Sequence, residues 1–141
     1  MIEVEVLDAP LRARAGSITE PEVRRLCVLV AERMGVAAGH VAVQFLGAEQ
    51  IARLNLEHRA RDQPTDVLSF PVDGVEELRE PATRELGDVV ICPEHTADLR
   101  EAVVHGMLHL LEMDHETDDG EMLALQDELL ALDAAGARGG R

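Results

Sequence analysis

Three histidines spaced His105-x3-His109-x5-His115 constrain this chain more than any other feature, because they demand a helix and then demand that it end. His105 and His109 are four apart, which on an α-helix puts both side chains on one face with Cβ atoms about 5–6 Å apart, close enough to grip one ion. Over the next six residues a continuing helix would turn through about 600° and carry His115 off that face. The chain must therefore leave the helix after His109 and fold His115 back. Three neutral imidazoles around Zn²⁺ leave a fourth tetrahedral position for water, which separates catalytic zinc from closed structural zinc. The expected chemistry is hydrolysis.

The spacing also matches the long zinc-protease signature H-E-x-x-H-x-x-G-x-x-H, but Gly106 stands where that signature places its general-base glutamate. The run from His105 to His115 instead resembles the YbeY family of bacterial rRNA-maturation endoribonucleases, with the pattern H-G-x-L-H-L-x-G-Y-D-H matched at His105, Gly106, Leu108, His109, Leu110, Asp114 and His115. Glu112 and Met113 replace the family's Gly-Tyr. Holding Glu112 in a left-handed turn would cost roughly 1–2 kcal/mol, and Glu112→Gly is expected to relieve it. A second block, Leu54 to Pro71, is similar to L-N-x-x-Y-R-x-x-D-x-P-T-D-V-L-S-F-P, with His58 in the tyrosine position. A third, Leu86-Gly87-Asp88-Val89-Val90-Ile91, resembles the family's L-G-D-I-x-I strand.

The resemblance implies a zinc-dependent endoribonuclease acting in rRNA 3′-end maturation and ribosome quality control. Its expected associates are the small ribosomal subunit, ribosomal protein S11 and the GTPase Era. It implies one catalytic Zn²⁺ on His105, His109 and His115, an ion that lowers the pKa of a bound water toward about 7. It makes Arg59 a phosphate clamp, a role that suits the bidentate guanidinium fork. Asp114, tethered beside a ligand, is the first candidate to order the water or shuttle its proton. Whether the nucleophile is water or the substrate's 2′-OH stays open. So do two alternatives, a zinc peptidase-like hydrolase and a catalytically idle ribosome-associated zinc module.

Charge sits less comfortably with RNA. The chain has 141 residues and a net charge of −15, from 13 basic and 28 acidic residues. All 13 basic residues are arginine, and Arg53, Arg59, Arg61 and Arg84 lie on or beside the second and third blocks, so a local basic strip can persist within an acidic molecule. The two aromatic residues, Phe45 and Phe70, make no stacking platform. Without lysine there is no Schiff-base or Walker A chemistry, and two serines, Ser17 and Ser69, leave little room for a serine nucleophile. Cys27 and Cys92 sit in apolar runs without paired spacing, as buried thiols of a reducing compartment do. No signal segment or run of about 18 apolar residues is seen, and a cytoplasmic protein is expected.

The length fits one domain over residues 1–141, with 136–141 a frayed tail. Alternation predicts strands over 2–7 and 40–46, and strands are also expected over 67–72 and 86–91. A capping box at Thr19 opens a helix ending near Gly35, and helices are expected over 48–59, from Pro93 to about Leu111, and over 117–134. The fold class is α+β: a small mixed four-stranded sheet with helices packed over it and the metal helix near one end. His40 and His95 are expected to be ordinary surface or satisfied residues, and Asp66 a turn residue. His58 is divided between surface and site wall. Asp88 is divided between a turn and an acceptor for an imidazole N–H. Glu112 is expected to be a solvated turn carboxylate.

Overall fold

The computed structural model describes residues 2–7, 18–59, 67–71, 85–96, 98–111 and 120–139. The elements run β1 (Ile2–Leu7), α1 (Glu20–Arg33), β2 (Gly39–Phe45), α2 (Ala48–Arg59), β3 (Val67–Pro71), β4 (Glu85–Ile91), α3 (Leu99–Leu110) and α4 (Glu121–Gly139). The four strands form one sheet in the order β1-β2-β4-β3. β1 and β4 both run parallel to β2, and β3 is antiparallel to β4. The architecture is the expected α+β fold with a mixed sheet.

Both ends of α1 follow from local chemistry. The Thr19 hydroxyl accepts from the Glu22 amide at 3.3 Å, and the Glu22 carboxylate accepts from the Thr19 amide at 3.2 Å, a complete capping box. At the other end Gly35 has φ +79, and the Gly35 and Val36 amides donate to Glu32 and Ala31, a Schellman-type stop.

A bulge organises the sheet. The β2–β4 register passes from His40↔Glu85 to Val41↔Gly87, leaving Leu86 as the extra residue, and Gly87 takes φ +129. The extra residue reverses the alternation of β4. Leu86, Val89 and Ile91 thereby all join the larger core with Val23, Leu26 and Val30 of α1 and Val103, Val104 and Met107 of α3. The opposite face is smaller, with Leu68, Val90 and Cys92 packed around Ile51 of α2. The glycine of the Leu86-Gly87-Asp88 block thus has a backbone role.

The expected helix from Pro93 is interrupted. Pro93–His95 form one 3-10 turn, Thr96 is extended, and its hydroxyl donates to the Cys92 carbonyl at 2.7 Å. The helix restarts because Asp98 accepts from the amides of Arg100 and Glu101 at 3.0 and 3.2 Å, satisfying donors that a new helix leaves open. α4 also differs from expectation. It begins at Glu121 after Gly120 (φ +90) and continues through Gly139, past the expected end at residue 134. The alanine-rich run Ala134-Ala135-Gly136-Ala137 propagates an existing helix at little cost. Cys27 and Cys92 are buried thiols not joined in a disulfide, and burial pushes the Cys27 thiol up to about 12. Among the described residues no helix is long and apolar enough to cross a membrane.

Candidate metal centre

α3 is enclosed by α1, α4, β3 and β4, and its residues Val103, Val104, Met107, Leu108 and Leu110 are fully buried. A helix held on so many sides presents its polar residues from a rigid base. His105 and His109 are the half-buried exceptions in this middle stretch. Their rings meet edge to face with centroids 4.7 Å apart, and the two Nε2 atoms approach to 3.1 Å. Two nitrogens bound to one tetrahedral zinc at 2.0–2.1 Å would lie about 3.3 Å apart. The donor pair fits the ion within a few tenths of an ångström.

The other nitrogen of His105 is also engaged. Its Nδ1 lies 2.9 Å from Oε1 of Gln126, a residue of α4 that is only 4% exposed. An amide oxygen only accepts, so a ring facing it carries its proton on Nδ1 and keeps the Nε2 lone pair for the side of His109. Asp88 is neither a turn residue nor, within the described residues, an acceptor for an imidazole N–H. Asp88 lies within β4, paired with Ala42 and Phe70, with its side chain exposed. A signal for Gln126 existed: Met122, Gln126, Leu129 and Asp133 form a buried stripe at helical spacing, with two polar residues where apolar ones are the rule.

Gly106 has a packing role. A Cβ built on it would lie 2.5 Å from Val89 Cγ1 and 3.1 Å from Val67 Cγ1, and its carbonyl accepts from the Ser69 hydroxyl at 2.8 Å. All three sequence blocks therefore converge on this glycine: Gly106 from the first, Val67 and Ser69 from the second, Val89 from the third. Position 106 points into the sheet, so a glutamate there would have no room to serve the histidines as a base.

α3 ends at Leu110, with Leu111 as its cap, which is where the spacing to His115 requires the chain to leave the helix. Glu112, Asp114 and His115 lie outside the described residues, as do Asp66 and the side chains of His58, Arg59 and His95. Arg59 is the last residue of α2. Among the described residues no third His, Cys, Asp or Glu joins the pair in a metal-holding group. His40 is satisfied elsewhere: its Nδ1 lies 2.6 Å from Glu85 and its Nε2 3.4 Å from Glu5. The hydrogen bond to Glu85 holds its pKa above the ordinary value.

A second polar cluster lies further along the same two helices. Asp133 of α4, with its side chain 1% exposed, takes Nε of Arg25 at 2.5 Å and Nη2 of the same fork at 3.2 Å. It also accepts from Arg100 of α3, whose Nη1 reaches Glu22 at 3.1 Å. The Arg25 hydrogen bond, outweighing burial, holds the Asp133 carboxyl below its usual range.

An α+β domain whose central helix presents two convergent imidazoles offers the kind of donor pair that metal-dependent hydrolases, as a class, require. Its relatives narrow that class. Residues 15–132 match the family described as Endoribonuclease YbeY. The Endoribonuclease YbeY of Macrococcus caseolyticus is 34% identical, covering 92% of this chain and 94% of its own. That of Kineococcus radiotolerans is 35% identical, covering 92% and 85%. That of Acinetobacter baylyi is 43% identical over 64% of this chain and 67% of its own. The solution structure of TM1509 from Thermotoga maritima shares the fold, with 24% identity, a TM-score of 0.55 and coverage of 99% of this chain and 93% of that one. The chain belongs to the endoribonuclease YbeY family.

Proposed function

We infer that this chain is a zinc-dependent endoribonuclease of rRNA 3′-end maturation and ribosome quality control. Family membership carries the enzyme class, a hydrolase of RNA phosphodiester bonds. The observation that supports the metal is the 3.1 Å approach of the His105 and His109 Nε2 atoms, with the opposite nitrogen of His105 tied back to Gln126. His115 would supply the third nitrogen. Zinc held there would supply Lewis acidity toward a phosphoryl oxygen or a water.

The chain's own residues do the rest. Arg59 neutralises charge growing on the phosphoryl oxygens, since its planar fork matches two of them at once. Asp114 orders a water or shuttles its proton. Among the described residues Arg24, Arg25, Arg33 and Arg100 are each engaged by carboxylates, and α2 carries Arg53 and Arg59 for phosphate contact. In a molecule with a net charge of −15, substrate capture relies on docking. The small ribosomal subunit, ribosomal protein S11 and Era are the proposed associates, in the cytoplasm.

The test is cleavage of an rRNA precursor by metal-stripped and zinc-reconstituted protein, beside a peptide substrate. Zinc should restore RNA cleavage and leave the peptide intact. RNA cleavage that is indifferent to zinc would overturn the metal reading. Arg59→Ala should keep zinc and lose most cleavage, with Arg59→Lys recovering part; a parental rate in Arg59→Ala would remove that residue from the reaction.

A further inference from the structure

We propose that Gln126 is the positioning residue of the metal centre, acting through His105. The inference rests on the metal reading above. Gln126 lies in the buried stripe of α4, between Met122 and Leu129, both fully buried, and its side-chain oxygen is 2.9 Å from His105 Nδ1. A neutral imidazole carries one proton, and the ring can bind an ion through Nε2 only if that proton sits on Nδ1. A buried acceptor opposite Nδ1 selects that tautomer before any metal arrives. It also fixes rotation of the ring, because the Nδ1–H must point at one atom on another helix. With no proton on Nε2 of His105, the 3.1 Å contact between the rings is a hydrogen bond donated by His109 Nε2–H; for both rings to face one ion that proton moves through solvent to Nδ1 of His109, which leaves a neutral imidazole with its Nε2 lone pair available.

The opposite orientation of the amide gives the opposite chemistry. If the Gln126 NH₂ faced the ring, Nδ1 would accept and the proton would sit on Nε2, pointing into the metal position. The pre-set lone pair therefore depends on which end of one amide faces His105. Partners of metal-bound histidines hold ligand orientation and basicity in this way, and their loss typically costs about 10- to 100-fold in metal affinity.

A role confined to packing predicts something different. Exchanging a buried amide for an apolar side chain of similar length would then leave zinc affinity unchanged and stability equal or higher. Two measurements on the full-length chain separate these roles. The first is the ¹⁵N–¹H correlation spectrum of the imidazoles in metal-free unaltered protein, where His105 should carry its proton on Nδ1; a proton on Nε2 overturns the proposal whatever the variants do. The second is titration with Zn²⁺ against a chromophoric chelator. Gln126→Leu should bind about 10- to 100-fold more weakly. Gln126→Glu, which keeps an acceptor oxygen at the same reach, should recover most of the loss. A folded Gln126→Leu protein with parental zinc affinity overturns the role of Gln126 and leaves the metal centre standing. Unaltered protein that takes up no zinc overturns the metal centre itself. If Gln126→Leu does not fold, the spectrum of the unaltered chain and the Gln126→Glu titration decide.

Discussion

Helices α3 and α4 carry two polar clusters side by side, and they are built on opposite principles. In one, Arg25 and Arg100 surround the buried carboxylate of Asp133, and Glu22 takes the far side of Arg100. Charge is matched by charge, which leaves the group no reason to bind anything else. In the other, two imidazoles aim the same kind of atom at the same point, 3.1 Å apart, with a neutral amide behind one of them. A single proton between the two nitrogens, or a single cation, serves both. Buried polar groups that neutralise one another are fasteners, whereas half-buried donor atoms that converge on one point can form a site.

If that distinction holds, the effects of substitution divide cleanly. The largest expected effect is at the site: His105→Ala or His109→Ala should lower zinc affinity by more than the roughly 10- to 100-fold typical of a supporting partner and abolish RNA cleavage. Thermal melting of the metal-free protein should hardly change. Zinc measured by elemental analysis at parental content in the double variant would break the comparison from this side.

Asp133→Ala should do the reverse. Removing the carboxylate from beneath two arginines leaves their charges partly buried, and the expected loss is about 3 kcal/mol, the lower end for broken buried pairs because both arginines are partly exposed. That corresponds to a fall in Tm of roughly 6–12 °C. Zinc affinity of the folded fraction should be unchanged, and a large loss there would merge the two clusters into one.

Gly106→Ala sharpens the comparison by pressing on what both share. The added methyl meets Val89 and Val67 and pushes α3 off the sheet; overpacking costs about 1–3 kcal/mol, against about 1 kcal/mol returned by alanine's helix propensity. Stability and zinc affinity should fall together, and a more stable variant with full affinity would show that the contact is soft.

The smallest effects are in pH dependence, where the two kinds of ion pair have opposite signs. The Asp133 carboxyl is depressed below its ordinary 3.8, so its contribution is complete above that value and is lost as pH falls through the lower folded-state pKa. His40 is raised above 6.5 by Glu85, so its contribution is complete below 6.5 and disappears as pH rises through the folded-state pKa. Because His40 and Glu85 are both more than one third exposed, a few tenths of a kcal/mol are expected. Chemical denaturation across pH should show the acid limb flatten in Asp133→Asn and the slope above pH 6.5 flatten in His40→Gln. A steeper slope in either variant would reverse the assigned sign.

Much of this was readable along the chain because it depends on neighbours in sequence. The capping box at Thr19, the alternation of β1 and β2, and the bounds of α2 are local matters, and so is the pairing of His105 with His109, since four residues of helix put them on one face whatever surrounds them. The restart of α3 at Asp98 is local too, but Pro93 offers an equally good start five residues earlier, and the choice depends on where Thr96 finds the Cys92 carbonyl. The remainder depends on distant segments meeting. Nothing near Gly106 says that Val67, Ser69 and Val89 will press on it, and nothing near Asp88 says that a bulge will carry it away from the histidines. Gln126 stands 21 residues from His105 and reads as one polar residue in an acidic helix. It becomes the partner of an imidazole because α4 packs against α3 in a register that places a buried amide opposite Nδ1. Short-range spacing specifies which atoms are available for chemistry, and the packing of helices and sheet specifies which of them face each other, because side-chain burial is a property of surfaces brought together.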